Sequence, residues 1–213
     1  MKFEELLESV GSLPLFRSSL LLAGDRDPAD VRRQLSRWTE SGKLIQLRRN
    51  IYVLALPWRR VEPHPFLVAT ALHSPSYVSL QSALAHHGMI PEGVPVTTSV
   101  TTGRPMEFDT SLGRYLYRHV RPEVFFAYGR TPVFRNQEAR VAEPEKALLD
   151  LVYLTPRGDT MEHLESLRLE NLEDIQEQRI LGIAQRWDKK KIRRAAENVL
   201  LLRQRLVEGG PGS

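Results

Sequence analysis

Five arginines crowd two short stretches near the start of this sequence: Arg32, Arg33 and Arg37 in "DPADVRRQLSRWTESG", and Arg48 and Arg49 in "SGKLIQLRRNIYVLA". A guanidinium is permanently charged and presents a planar fork of N–H donors, which fits phosphate oxygens or the edge of a guanine. On a helical wheel of about 100° per residue, Val31, Leu35 and Trp38 fall in one narrow stripe, the face to be buried. Arg33, Ser36 and Arg37 fall opposite, with Ala29 and Glu40 beside them and Arg32 on the flank. Small residues between arginines would let such a helix sit deep in a major groove. The second stretch reads as a strand over 43–47, a tight turn and a strand over 51–54, with Asn50 where the turn asks for positive φ. Its tip would hold Arg48 and Arg49 against something anionic. Taken singly, each stretch also fits a solvated, charged surface.

The elements that would position these side chains are legible from caps and periods. Residues 2–9 form an amphipathic helix with Phe3, Leu6, Leu7 and Val10 on one face. Residues 15–23, "LFRSSLLLA", read as a second helix stopped by Gly24. The third runs from Asp27, an N-cap followed by Pro28, to Gly42, a left-handed stop. Two helices, an arginine-faced helix and a two-stranded hairpin follow the order of a winged helix-turn-helix, in which the third helix enters the major groove and the hairpin is the wing. Arg48 and Arg49 would then clasp the backbone or enter the minor groove. Arg17, Ser18 and Ser19 would make phosphate contacts from the start of the second helix, where N–H groups are free.

Charge is distributed to match. Of 30 basic and 26 acidic residues, the first sixty positions hold 11 and 7, so the whole excess of +4 lies there. With 213 residues, 41% hydrophobic and 26% charged, the chain suits one or two globular domains. It contains no cysteine, which excludes disulfides, thiol catalysis and cysteine zinc sites. No apolar run approaches the roughly 20 residues of a membrane span, and "MKFEELLESV" is not a secretory signal, so a cytoplasmic location is expected.

The expected fold class is α+β: a winged helix-turn-helix over 1–57, a linker over 58–65, a mixed α/β domain over 66–207 with a helical C-terminal tail, and a disordered end over 208–213. Within the second domain, a helix near 66–73 precedes "YVSLQSALAHHGMI", where Ser79 caps a helix and Gly88 stops it. Residues 94–142 read as several strands, and "AEPEKALLDLVYL" as a helix with Pro144 in its first turn. Lys146 and Asp150, four apart, would pair on that helix's surface. Ile192, Ala195, Val199, Leu202 and Leu206 form an apolar stripe on a last helix. The cations at its start, Lys189 to Lys191, Arg193 and Arg194, are either a solvated face or a further phosphate contact.

Catalytic readings fare worse. Gly11-Ser12 followed by Asp25-Arg26-Asp27 has nearly the spacing of a nucleotidyltransferase metal site, but Arg26 stands where an apolar strand residue belongs, and Pro28 opens a helix. His86 and His87 are adjacent, so on a helix they point about 100° apart and cannot jointly grip a metal. No phosphate loop, dinucleotide glycine pattern or Gly-x-Ser-x-Gly elbow is present. The expectation is a protein that is not an enzyme and has no cofactor and no metal.

The stretch "VRRQLSRWTESGKLIQLRRNIYVLA" resembles the N-terminus of AbiEi-type antitoxins of type IV toxin–antitoxin (abortive infection) systems: a helix ending in Gly42, an apolar–basic strand, the pair Arg48–Arg49 and Tyr52 on the return strand. Asn50 stands where that family usually has Gly. "YVSLQSALAHHGMI", "LGRYLYRHV" and "ARVAEPEKALLDLVYL" resemble successive pieces of the family's C-terminal domain, so the likeness spans about residues 16–154. It implies a transcriptional autorepressor that binds inverted repeats in promoter DNA, with two protomers on that DNA. Its functional partner would be a nucleotidyltransferase toxin, countered without a stable complex being required. Two rivals remain: a winged helix used only for protein contact, and an enzyme whose site is assembled from distant residues of the C-terminal domain.

Overall fold

The computed structural model describes residues 1–22, 26–91 and 93–208. Its first helix, α1 (Phe3–Val10), buries Phe3, Leu6 and Val10, which a 3.6-residue period places on one face. The following segment is not the α-helix expected over 15–23. Phe16–Arg17 form a two-residue strand, β1, that pairs antiparallel with β3 (Ile51–Leu54), and Ser18–Leu22 form a 3-10 turn. Sheet pairing outweighs local helical pattern here: Phe16 lies opposite Tyr52 with the rings stacked at 5.7 Å, and the Ser18 N–H donates to the Asn50 carbonyl at 3.1 Å. Of the three leucines in the turn only Leu21 is buried, while Leu20 and Leu22 are exposed. The stop expected at Gly24 lies outside the described residues.

The third expected helix is present as α2 (Pro28–Glu40). The Asp27 carboxylate accepts the Ala29 N–H at 2.8 Å, and Val31, Leu35 and Trp38 are all buried, as the wheel requires. Gly42 carries φ of 70°, the left-handed conformation that ends the helix. The hairpin of β2 (Leu44–Arg48) and β3 turns at Asn50, with φ of 68°, and the three strands lie in the order β1-β3-β2.

The second region is a six-stranded mixed sheet flanked by helices. After α3 (Pro65–Leu72) come β4 (Ser76–Val78), α4 (Leu80–His86), β5 (Val96–Thr101), β6 (Met106–Thr110), β7 (Gly113–His119), β8 (Tyr128–Phe134) and β9 (Gln137–Ala142). They are followed by α5 (Pro144–Leu154), α6 (Met161–Ser166), α7 (Glu177–Trp187) and α8 (Lys190–Glu208). The strand order is β6-β7-β5-β4-β9-β8, with the pairs β4–β9 and β5–β7 parallel and the others antiparallel. The molecule is thus a mixed α+β fold with two sheets and, among the described residues, eight α-helices. None of the described helices is long and apolar enough to cross a membrane.

The stretch expected to be a linker is held in place. Gln137 accepts the His64 N–H and donates to the Glu62 carbonyl, both at 2.8 Å, and Trp58 packs edge-on against Phe3 at 5.4 Å. The two parts have distinct buried clusters, but both are built on β3. Tyr52 and Leu54 of β3 belong to the N-terminal cluster with Leu6, Leu35 and Trp38, whereas Ile51 and Val53, with Leu47, belong to the main cluster with Leu72, Tyr117 and Val141. Alternation along one strand sends its side chains to both.

Candidate nucleic-acid interface

The exposed side of α2 is set by the burial of its other side. With Val31, Leu35 and Trp38 turned inward, Arg32, Arg33, Ser36 and Arg37 are all exposed. Arg33 makes an ion pair with Asp30 one turn earlier, both side chains being more than 60% exposed. Exposed pairs of this kind contribute about 0–1 kcal/mol, so a phosphate or base edge can displace the carboxylate. Ser36 donates to Glu40 at 2.9 Å. Among the described residues Arg32 and Arg37 have no ion-pair partner, leaving two free guanidinium groups beside one loosely held.

The hairpin tip divides its two arginines. Arg49 is exposed. Arg48 turns back onto the second region: it donates to the Leu72 carbonyl, and its guanidinium lies 5.3 Å from the centre of the Phe108 ring. Arg17 behaves similarly, donating to the Ala71 carbonyl at 3.0 Å. Ala71 and Leu72 end α3, where carbonyls lack helical partners and the helix dipole favours cations, so the two arginines together cap that end. The expectation that Arg17, Ser18 and Ser19 open a helix with free N–H groups is corrected on two counts. Arg17 is a strand residue, and the Ser18 N–H is already used by Asn50. Ser19 is exposed. The structure therefore gathers Arg32, Arg33, Ser36 and Arg37 on one helix face, leaves Arg49 and Ser19 accessible, and commits Arg17 and Arg48 to internal carbonyls.

A buried polar network was misplaced by sequence reasoning. Lys146 and Asp150 do pair, but both side chains are 0% exposed rather than on the helix surface. The Asp150 carboxylate accepts from Lys146, from Ser79 Oγ at 2.7 Å and from Tyr77 OH at 3.0 Å, while Lys146 Nζ lies 4.2 Å from the centre of the Trp187 ring. Burial pulls the Lys146 ammonium below its ordinary value and pushes the Asp150 carboxyl above its own, each opposed by the attraction of the other. Ser79 precedes α4 as expected, yet its hydroxyl serves Asp150 and makes no cap hydrogen bond. The available signal was the apolar sequence between and after this pair in "EKALLDLVYL", which leaves α5 little polar face of its own.

The basic start of α8 is mostly engaged. Lys191 donates to the Tyr153 and Thr155 carbonyls at 3.2 and 2.5 Å, Arg193 pairs with Asp188, and Arg194 donates to the buried Asp159 at 2.6 Å. These contacts hold α8 against the end of α5 and the segment that follows. In the apolar stripe, Ile192, Ala195 and Val199 are buried but Leu206 is 58% exposed. His87 hydrogen-bonds the Ala142 carbonyl at 2.8 Å and His86 packs on Phe66 at 5.5 Å. Among the described residues, no three His, Asp or Glu side chains are grouped to hold a metal ion. Of the acidic triplet at 25–27, Asp25 lies outside the described residues and Asp27 is the cap of α2. No protein-family model matches the chain, and no curated protein matches it.

Proposed function

We propose that this chain is a sequence-specific DNA-binding transcriptional autorepressor, a winged helix-turn-helix joined to a mixed α/β domain. The observation that carries the reading is the exposed face of α2, where Arg32, Arg33, Ser36 and Arg37 stand together above a buried Val31–Leu35–Trp38 stripe. The order α1, 3-10 turn, α2 and the β1-β3-β2 sheet supports it. In this reading α2 lies in the major groove, Arg33 and Arg37 reach base edges, and Arg49, Ser19 and Arg32 meet phosphates. The further role, as the cytoplasmic antitoxin that counters a nucleotidyltransferase toxin, rests on the resemblance of four sequence stretches.

A gel-shift titration on the DNA upstream of the reading frame, at several salt concentrations, tests the reading. Arg33→Ala or Arg37→Ala is expected to cost about 1–3 kcal/mol and to relax base preference at one position. Variants that bind like the parent at every salt concentration would remove α2 from the groove.

A further inference from the structure

We propose that the groove between the N-terminal unit and the edge of the large sheet binds a phosphorylated small molecule of the nucleotide class. This inference does not depend on the DNA reading. This open groove offers about 490 Å³ where β1, α3, β8 and β9 meet, a size that suits a small ligand.

Its cationic wall comes from an unusual pairing. Arg130 on β8 and Arg140 on β9 are direct partners in the antiparallel ladder, and both line the groove. Like charges placed opposite each other across strands repel. Among the described residues neither arginine has an ion-pair partner, and Arg140 makes only a long contact, 3.4 Å, to Ser74 Oγ. Arg17 adds a third guanidinium from β1; its bond to the Ala71 carbonyl leaves other N–H donors unused. Against these three cations the lining holds one carboxylate, Glu138. An arrangement that is unfavourable when empty becomes favourable with a multiply charged phosphate between the guanidinium forks.

The remaining lining is compatible with a ring beside the phosphates. Leu15, Leu67 and Ala71 give part of the groove an apolar lining, with Thr70 beside them, its hydroxyl donating to the Phe66 and Leu67 carbonyls. A flat ring can rest against these apolar side chains while its phosphates reach the arginines, whereas a duplex backbone would leave them unused.

Calorimetric titration of the full chain with ADP, with adenosine, and with duplex DNA tests the assignment. ADP is expected to bind and adenosine not to. Arg130→Gln and Arg140→Gln should each weaken ADP by at least about tenfold, since each removes one charge-assisted phosphate contact. Arg135→Gln, in the exposed β8–β9 turn outside the groove, should leave it unchanged. The two groove variants should melt at the parent's temperature or above it, because a repulsion has been removed. Absence of ADP binding, equal ADP affinity in the groove variants, or lower melting in them would overturn the proposal. So would groove variants that weaken only duplex DNA, which would make these arginines part of a DNA surface instead.

Discussion

Replacing Lys146 by methionine keeps an unbranched side chain only one atom shorter and removes the charge, leaving Asp150 in the core without its cation. Both partners are 0% exposed, so no water takes the place of the ammonium. Removing one member of a buried pair costs about 3–5 kcal/mol. Ser79 and Tyr77 continue to donate to the carboxylate, which places the expected loss near the lower end, about 3 kcal/mol. The loss should depend on pH. Burial already holds the Asp150 carboxyl above its ordinary value of 3.8, and Lys146 is the strongest of the groups that draw it down, ahead of the hydrogen bonds from Ser79 and Tyr77. Without that cation the folded-state value rises further. A carboxyl raised by folding contributes stability that is complete below its unfolded value and is lost as pH climbs through its folded value. The deficit of Lys146→Met relative to the parent should therefore be larger at about pH 8 than at about pH 5. Urea unfolding followed by circular dichroism at the two pH values measures it. The double variant Lys146→Met/Asp150→Asn, which keeps an acceptor for Ser79 and Tyr77 but buries no charge, should recover at least about 2 kcal/mol of the loss. A deficit under about 1 kcal/mol, or one indifferent to pH, would refute the claim that this pair is buried and charge-coupled.

The two tip arginines should separate cleanly. Arg48→Ala is expected to cost about 1.5–3 kcal/mol of stability in urea unfolding, because the Leu72 carbonyl loses a charged donor, with little change in the salt dependence of DNA binding. Arg49→Ala should leave stability unchanged and reduce the slope of log affinity against log salt by about one, as measured by gel shift. Asn50→Gly should change stability by less than about 1 kcal/mol and leave DNA affinity intact, since φ of 68° suits glycine at least as well. Asp27→Ala should cost about 1 kcal/mol in thermal or urea unfolding through loss of the cap to Ala29.

What could be read in the sequence was what local chemistry decides. The α2 cap, its buried stripe, the hairpin turn at Asn50 and the Pro144 helix start depend on residues within a few positions of one another, and each is present. What went unread depends on distant partners. "LFRSSLLLA" has helical spacing, but Phe16 and Arg17 find Tyr52 and Ile51 thirty-odd residues later and become a strand. Lys146 and Asp150 look like a surface pair until β4 supplies Tyr77, Ser79 follows it, and Trp187 arrives from α7. The arginines of the candidate site divide on the same principle. The α2 face follows from its own helix, whereas the fates of Arg17 and Arg48 were settled by the end of α3, which no local pattern announces.

The strand β3 has no outside: all four of its residues are buried, alternately against the two clusters. It works as a party wall, and a party wall cannot be demolished from one side. A fragment ending near residue 57 would wet Leu47, Ile51 and Val53 together, at a cost of about 1.5–3 kcal/mol for each large side chain uncovered. The cluster that seats the arginine-faced helix therefore shares a strand with the second region, and neither cluster should unfold while leaving the other intact.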